Sequence, residues 1–236
     1  MITFSNLGNM GRLGNQLFQI ATCVSTALDK NTEYKFPKWE WESFFNLKDC
    51  FGDILVKNIY KEKSFEYSPI ECSTDCDLYG FFQSEKYFIN NKDVIFSLFS
   101  PTKPFSIRWN LCSIHVRRGD YLNLPKAYTH LGMDYYLQAM DIIKSERYLI
   151  FSDDINWCKR NFVGQQFVFA ENNVAPIDLF LQSSCEHNII ANSSFSWWAA
   201  YLNKNPDKKV IAPTQWFGPD LPHNTKDLIP TSWTKI

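Results

Sequence analysis

The sequence predicts an α/β protein built on parallel sheet, and three observations carry that expectation. From about residue 111 onward, apolar runs of strand length alternate regularly with runs of helical length, the pattern of parallel strands covered by helices. Near the amino terminus, Ile2-Thr3-Phe4 leads through a glycine-containing loop into an apolar stripe of helical period. Between these regions stands Pro101-Thr102-Lys103-Pro104, and closely spaced prolines break helices and suit linkers. Two domains are therefore expected, 1–104 and 105–236.

Taken in order, the first strand covers residues 2–4 and the loop holds Gly8, Gly11, Arg12, Gly14, Asn15 and Gln16. The helix that follows, 17–28, places Leu17, Ile20, Ala21, Val24 and Leu28 on one stripe. Trp39, Glu40, Trp41, Ser43, Phe44 and Phe45 form an irregular aromatic stretch that suits either a packed hydrophobic turn or a sugar platform. Residues 78–83 read as a short buried strand and 86–99 as a helix. Beyond the prolines the expected elements are strands 111–116, 148–152, 166–170, 187–191 and 209–212, with helices 134–145, 154–161, 176–185 and 194–203 between them.

The segment Ile114-His115-Val116-Arg117-Arg118-Gly119-Asp120-Tyr121 carries the strongest chemical signal. Two arginines at the end of a strand make an anion clamp, because a guanidinium grips phosphate bidentately, keeps its charge and can neutralise a diphosphate leaving group without a metal. Taken alone, the same residues also suit a surface ion-pair cluster. Glycines let backbone approach a ligand, and the N–H groups opening a helix favour anions. The glycine spacing matches neither the dinucleotide fingerprint nor the Walker loop, and a turn without a ligand fits it equally. Asn192-Ser193-Ser194-Phe195-Ser196-Trp197-Trp198 follows another apolar strand, with hydroxyls at a helix entrance, where a serine could also serve as a cap. Asp153-Asp154 ends a third strand, again open to a capping role. In parallel sheets ligands bind at the carboxyl ends of strands, so three motifs converge on one rim.

Together these pieces resemble the inverting α1,2-fucosyltransferases and, more distantly, the α1,6- and protein O-fucosyltransferases. The matching residues are Gly11-Arg12-Leu13-Gly14-Asn15-Gln16, His115 through Tyr121, Leu131-Gly132-Met133-Asp134-Tyr135-Tyr136, Phe151-Ser152-Asp153-Asp154 with Trp157-Cys158-Lys159, and Asn192 through Tyr201. They occur in the family's order, and the likeness is weakest over roughly 35–105. The resemblance implies two facing Rossmann-like domains of the GT-B type, with the donor nucleotide mainly in the carboxyl-terminal half, the acceptor in or against the other, and the site in the cleft. It implies metal-independent transfer of fucose from GDP-fucose to the 2-hydroxyl of a galactose-containing glycan. Arg117 would hold the diphosphate and Asp120 would be catalytic, although the adjacent arginines weaken it as a base and it could instead hold Arg117. Gly11, Arg12, Gly14, Asn15, His115, Arg118, Asp153, Asp154, Ser193, Ser194 and Phe195 would bind the donor, with Asp153 or Asp154 accepting from the N1–H and N2–H edge of guanine and His115 serving the base or ribose, although a packed histidine ending a strand fits that position equally.

Composition agrees. A chain of 236 residues that is 45% hydrophobic and 17% aromatic suits a packed globular protein. A net charge of −1 without a basic run gives no support for nucleic-acid binding. The seven cysteines are scattered and odd in number, which reads as reduced thiols in a cytosol. Cys72 and Cys76 lack a second pair at zinc spacing, so no metal is expected. No apolar run reaches membrane-spanning length and no signal peptide is evident, so a cytoplasmic bacterial or viral enzyme without the amino-terminal anchor of animal relatives is expected. An oxidoreductase of Rossmann type is disfavoured by the glycine spacing and by the lack of an acidic ribose residue.

Overall fold

In a computed structural model, which describes residues 1–47, 49–103 and 109–236, the chain forms two compact units, Met1–Pro104 with Asn224–Pro230, and Phe105–His223 with Thr231–Ile236. The fold class is α/β with two parallel sheets, as expected. The expected boundary runs into Pro104, which lies outside the described residues, and 224–230 groups with the first unit rather than with its sequence neighbours. The side chain of Asp227 accepts from the Tyr67 N–H at 3.1 Å and from Lys86 Nζ, and its carbonyl accepts from Ser84 Oγ at 2.7 Å.

The first unit holds β1 (Ile2–Thr3), α1 (Leu13–Asp29), β2 (Tyr34–Lys35), β3 (Ile59–Lys61), β4 (Cys76–Tyr79) and α2 (Lys92–Leu98). Its strands pair in parallel in the order β2-β1-β4-β3. Because β1 and β4 are neighbours, the segments leaving their carboxyl ends run side by side.

Helix α1 begins earlier than the apolar stripe suggested, so Gly14, Asn15 and Gln16 form its first turn. The Gln16 N–H reaches the Arg12 carbonyl at 3.0 Å, and its side chain donates to the Gly11 carbonyl. Leu17, Ile20, Ala21 and Val24 are fully buried. Leu28 leaves the stripe at 41% exposure, because the chain turns there through Asn31 at φ 50°, with the Asn31 N–H bonded to the Leu28 carbonyl and the Thr32 N–H to the Ala27 carbonyl. Asparagine tolerates the left-handed turn that stops a helix.

Two further expectations are corrected. The strand expected over 78–83 ends at Tyr79, since Phe82 has φ 51°. The helix expected over 86–99 is α2 alone, preceded by two short 3₁₀ turns. Asn91 is drawn off the helical path by donating to Ser25 Oγ at 2.9 Å and Asp29 Oδ1 at 2.8 Å. Trp39 belongs to the core, stacked on Phe45 with its indole N–H donated to Gln16 Oε1 at 2.8 Å.

The second unit holds β5 (Trp109–Val116), α3 (Met133–Ile143), β6 (Tyr148–Ser152), α4 (Ile155–Asn161), β7 (Phe167–Phe169), α5 (Ala175–Ser183), β8 (Cys185–Ile189), α6 (Ser194–Leu202), β9 (Val210–Ala212) and β10 (Thr234–Lys235). All pairs are parallel and the order is β10-β9-β8-β5-β6-β7. This is the doubly wound order, with the reversal between β5 and β8. The period-two strand geometry separates two cores. Cys112, Ile114, Val116 and Ile150 pack with Tyr136 and Ala139 of α3 and Cys158 of α4, whereas Leu111, Leu149 and Phe151 pack with Cys185 and Leu181.

A buried polar knot crosses this sheet. Asn188 donates to Ser113 Oγ at 2.7 Å and to the Gln182 carbonyl at 2.9 Å, and accepts from Asn203 at 2.8 Å. Asn188→Ala strands several of these groups without water, each worth about 1–3 kcal/mol. Urea unfolding of this variant should show a loss of at least that size, and an unchanged midpoint would contradict the assignment.

Candidate active site

Strands β8, β5 and β6 are neighbours, so the segments that leave their carboxyl ends lie side by side at the reversal of the second sheet. Register fixes them: Val116 stands opposite Ser152, and Ile114 opposite Ile189. Immediately beyond come Arg117 and Arg118 from β5 and Asp153 and Asp154 from β6, and Ser193 and Ser194 follow β8 after the short link 190–192.

Arg117 is held between two carboxylates. One guanidinium nitrogen contacts Asp153 Oδ2 at 2.6 Å and another contacts Asp120 Oδ1. Its side chain is 13% exposed, against 26% for Asp153 and 46% for Asp120, so Asp120 is the partner nearer solvent. The guanidinium also lies 5.0 Å from the Tyr121 ring centre. Tyr121 stacks on Tyr128 at 4.0 Å and donates its hydroxyl to the Asn192 carbonyl at 3.1 Å, and burial pushes its pKa up. Asn192 in turn donates to the Thr129 and Trp216 carbonyls. The cation is thus set in a rigid aromatic and amide frame.

Arg118 points differently. Its Nε donates to Asp154 Oδ2 at 3.2 Å, and its guanidinium covers the Trp157 ring at 4.1 Å. The same Asp154 caps α4 by accepting from the Trp157 N–H at 3.1 Å, while Asp153 Oδ1 accepts from the Arg118 N–H at 2.9 Å. Each of the four carboxylate oxygens of Asp153 and Asp154 therefore receives a donor from the protein itself. The capping role open to this pair in the sequence is realised at Asp154. Trp157 as a platform for Arg118 was not apparent from sequence, where only its place three residues after the acidic pair hinted at it.

His115, on the face opposite Ile114, is 6% exposed and packs on Phe195 at 5.5 Å. Its Nδ1 is buried without a hydrogen-bond partner among the described residues. Burial, with the Arg117 charge second, lowers its pKa to about 3, so the ring is neutral. Ser193 occupies the N-cap position of α6 but makes no side-chain cap hydrogen bond. The first-turn N–H groups of a helix have no intrahelical acceptor, so this end suits an anion. Both serines and Phe195 thus stand at one helix entrance.

The glycine loop belongs to the first unit. Gly11 has φ 77°, and a Cβ there would come within 2.4 Å of the Asn15 side-chain nitrogen, so a glycine is required on both counts. Arg12 is the N-cap residue of α1, and Gly14 is buried in its first turn. Asn15 accepts from Gln83 Nε2 at 2.8 Å, and Gln19 ties the loop to β4 by donating to the Met10 and Gly80 carbonyls. Gln83 was not singled out by sequence, since nothing local links it to a residue 68 positions away.

Two outcomes follow from this geometry. A Cβ at Gly119 would lie 2.5 Å from Asp153 Oδ2, so Gly119→Ala should push Asp153 off Arg117. It should lower affinity for inorganic pyrophosphate measured by calorimetry, and wild-type affinity would contradict the anchor. Unfolding raises the His115 pKa to its ordinary value near 6.5, so the unfolded chain gains a proton that the folded chain refuses until about pH 3. This residue's contribution is present above 6.5 and is lost as pH falls toward 3. His115→Gln should lose less stability than wild type between pH 6.5 and 4 in urea titrations, and equal losses would refute the buried neutral ring.

No helix among the described residues is long and apolar enough to cross a membrane. Residues 31–236 match the model of glycosyl transferase family 11. The chain is 31% identical to an α1,2-colitosyltransferase of Escherichia coli over 96% of each chain. It is 32% identical to the O-antigen biosynthesis glycosyltransferase WbnK of the same organism, over 81% of this chain and 72% of that protein. With human galactoside α-(1,2)-fucosyltransferase 1 it shares 31% identity over 51% of this chain and 40% of that one. The solved structure of NodZ α-1,6-fucosyltransferase with GDP aligns over 84% of this chain at 12% identity, covering 91% of that chain with a TM-score of 0.47. The chain belongs to glycosyl transferase family 11 and is a glycosyltransferase.

Proposed function

We propose that the protein transfers fucose from GDP-fucose to the 2-hydroxyl of a galactose-containing glycan, with inversion at the sugar carbon and without a metal. One observation carries the reading: a nearly buried Arg117 guanidinium, anchored by Asp153, stands at the reversal point of the second sheet beside the segment that opens α6. That is where such sheets bind a nucleotide's phosphates, and the full-length likeness to an α1,2-glycosyltransferase supports the linkage.

In this account the acceptor oxygen attacks C1 of fucose as the C1–O bond breaks, and the electron pair leaves with the β-phosphate. Arg117 takes the charge that develops there, with the Ser193 hydroxyl and the N–H groups of Ser194 and Phe195 adding donors. Asp120, the more exposed partner, yields its place on Arg117 to the phosphate. A carboxylate so released is available for the acceptor's proton, and Asp120 is assigned that role. Asp153 keeps Arg117 aimed throughout. Arg118, with Asp154 and Trp157, and His115 line the nucleotide side of the same strand ends. Within the first unit, the Gly11, Arg12, Gly14 and Asn15 segment offers backbone and amide donors suited to a sugar hydroxyl or an anion.

A second reading concerns the donor sugar. Colitose is fucose without the 3-hydroxyl, and the likeness to a colitosyltransferase over nearly the whole of both chains favours testing it. A screen of GDP-fucose, GDP-colitose, GDP-mannose and UDP-galactose, with linkage read by NMR of the product, decides between the two.

Arg117→Ala should reduce kcat/KM by about 10²–10³ or more, and Arg117→Lys should recover only part, since an ammonium lacks the planar fork. EDTA should leave the rate unchanged. Near-normal transfer by Arg117→Ala, or a requirement for a divalent cation, contradicts the proposal.

A further inference from the structure

Within the first unit, the Gly80–Gln83 loop is held in an unusual way. Glu62, just past β3, receives the Phe81 N–H at 2.7 Å on one carboxylate oxygen and the Phe82 N–H at 2.9 Å on the other. Two consecutive N–H groups turned to one acceptor need a tight bend, and Phe82 supplies it at φ 51°. The approach is close enough that a Cβ on Gly80 would lie 2.4 Å from Glu62 Cβ. On the far side of Gln83, Ser84 and Lys86 are bound to Asp227. Gln83, between these two clamps, donates its amide to Asn15 Oδ1 at 2.8 Å.

We propose that Glu62 is a positioning residue for substrate binding: its two hydrogen bonds fix the Gly80–Gln83 loop, through which Gln83 sets the orientation of the Asn15 amide. The inference rests on the reading of Asn15 as a substrate contact. An amide has an acceptor end and a donor end. With Oδ1 committed to Gln83, the NH₂ end of Asn15 is the one presented elsewhere, and it lies against Gly11 where a Cβ would be 2.4 Å away. A donor held in this way costs no reorganisation when an anionic or hydroxyl-bearing ligand arrives. The carboxylate is what the bend demands, because only an acceptor on both oxygens serves two N–H groups. Glutamine offers one acceptor and turns an NH₂ toward the other N–H. Burial pushes the Glu62 carboxyl up to about 7, opposed by the two N–H bonds.

The test is a double-mutant cycle of Glu62→Gln and Asn15→Ala. Glu62→Gln should lower kcat/KM by about 10–100-fold. In the Asn15→Ala background the same change should have less than about a twofold effect, because residues acting through one another are not additive. Glu62→Asp, which restores the carboxylate on a shorter stem, should recover part of the rate. Equal fold-losses in both backgrounds mean that Glu62 only braces the loop and overturn the proposal, as does an unchanged kcat/KM in Glu62→Gln. A second measurement does not depend on activity. The side-chain NH₂ resonances of Asn15 and Gln83 should shift and exchange faster with solvent in Glu62→Gln, whereas unaltered resonances overturn the inference. A wild-type protein that transfers no sugar would defeat the proposed function, and the amide resonances would still decide for or against the Glu62 linkage.

Discussion

The ion triad of Asp153, Arg117 and Asp120 is the constraint on which the second unit depends. A guanidinium that is only 13% exposed must have partners, because an unpaired charge removed from water costs several kcal/mol. Two carboxylates supply them, but not symmetrically. Asp153 is tied to the backbone N–H of Arg118 as well as to the Arg117 side chain, so it cannot leave without disturbing the turn. Asp120, at 46% exposure, is the partner nearer solvent. In the proposed reaction Asp120 gives way to the substrate's phosphate, and the cost of burying the guanidinium is already met before that ligand arrives.

The two sheets solve the same problem in parallel ways. Each sends a loop from a strand near the middle of its order, and in each a glycine lies under a polar side chain. Gly119 admits Asp153, and Gly11 admits Asn15. In both places the side chain is fixed by a residue distant in sequence, Arg117 to Asp153 across 36 positions and Gln83 to Asn15 across 68. Both glycines leave room for the side chain beside them, and Gly11 is required for its positive φ as well.

How much of this is legible in the sequence differs between the units. In the second, elements are regular and strands alternate in and out, so β5, β6 and β8 and the helices between them begin and end within two residues of expectation. The convergence of Arg117, Asp153 and Ser193 also follows from the strand-end rule. What the sequence hides is which partner each polar group takes. Asp153 and Asp154 read as guanine acceptors or caps, and the sequence does not say that each of their oxygens also receives a donor from Arg117, Arg118 or Trp157. In the first unit, strands of two to four residues carry too little pattern to be recognised. Phe81 and Phe82 look like strand residues because apolar periodicity cannot register a left-handed turn made by Glu62. The return of 224–230 to the first unit depends on Asp227 meeting Tyr67 and Lys86, contacts that span well over a hundred positions.

The most direct measurement is a crystal structure of the protein with GDP. In it a guanidinium nitrogen of Arg117 should lie within hydrogen-bond distance of a β-phosphate oxygen, with Asp153 still bound and Asp120 displaced. A GDP seated elsewhere, with the Asp120–Arg117–Asp153 bridge intact and no phosphate against it, would contradict the role proposed for Arg117.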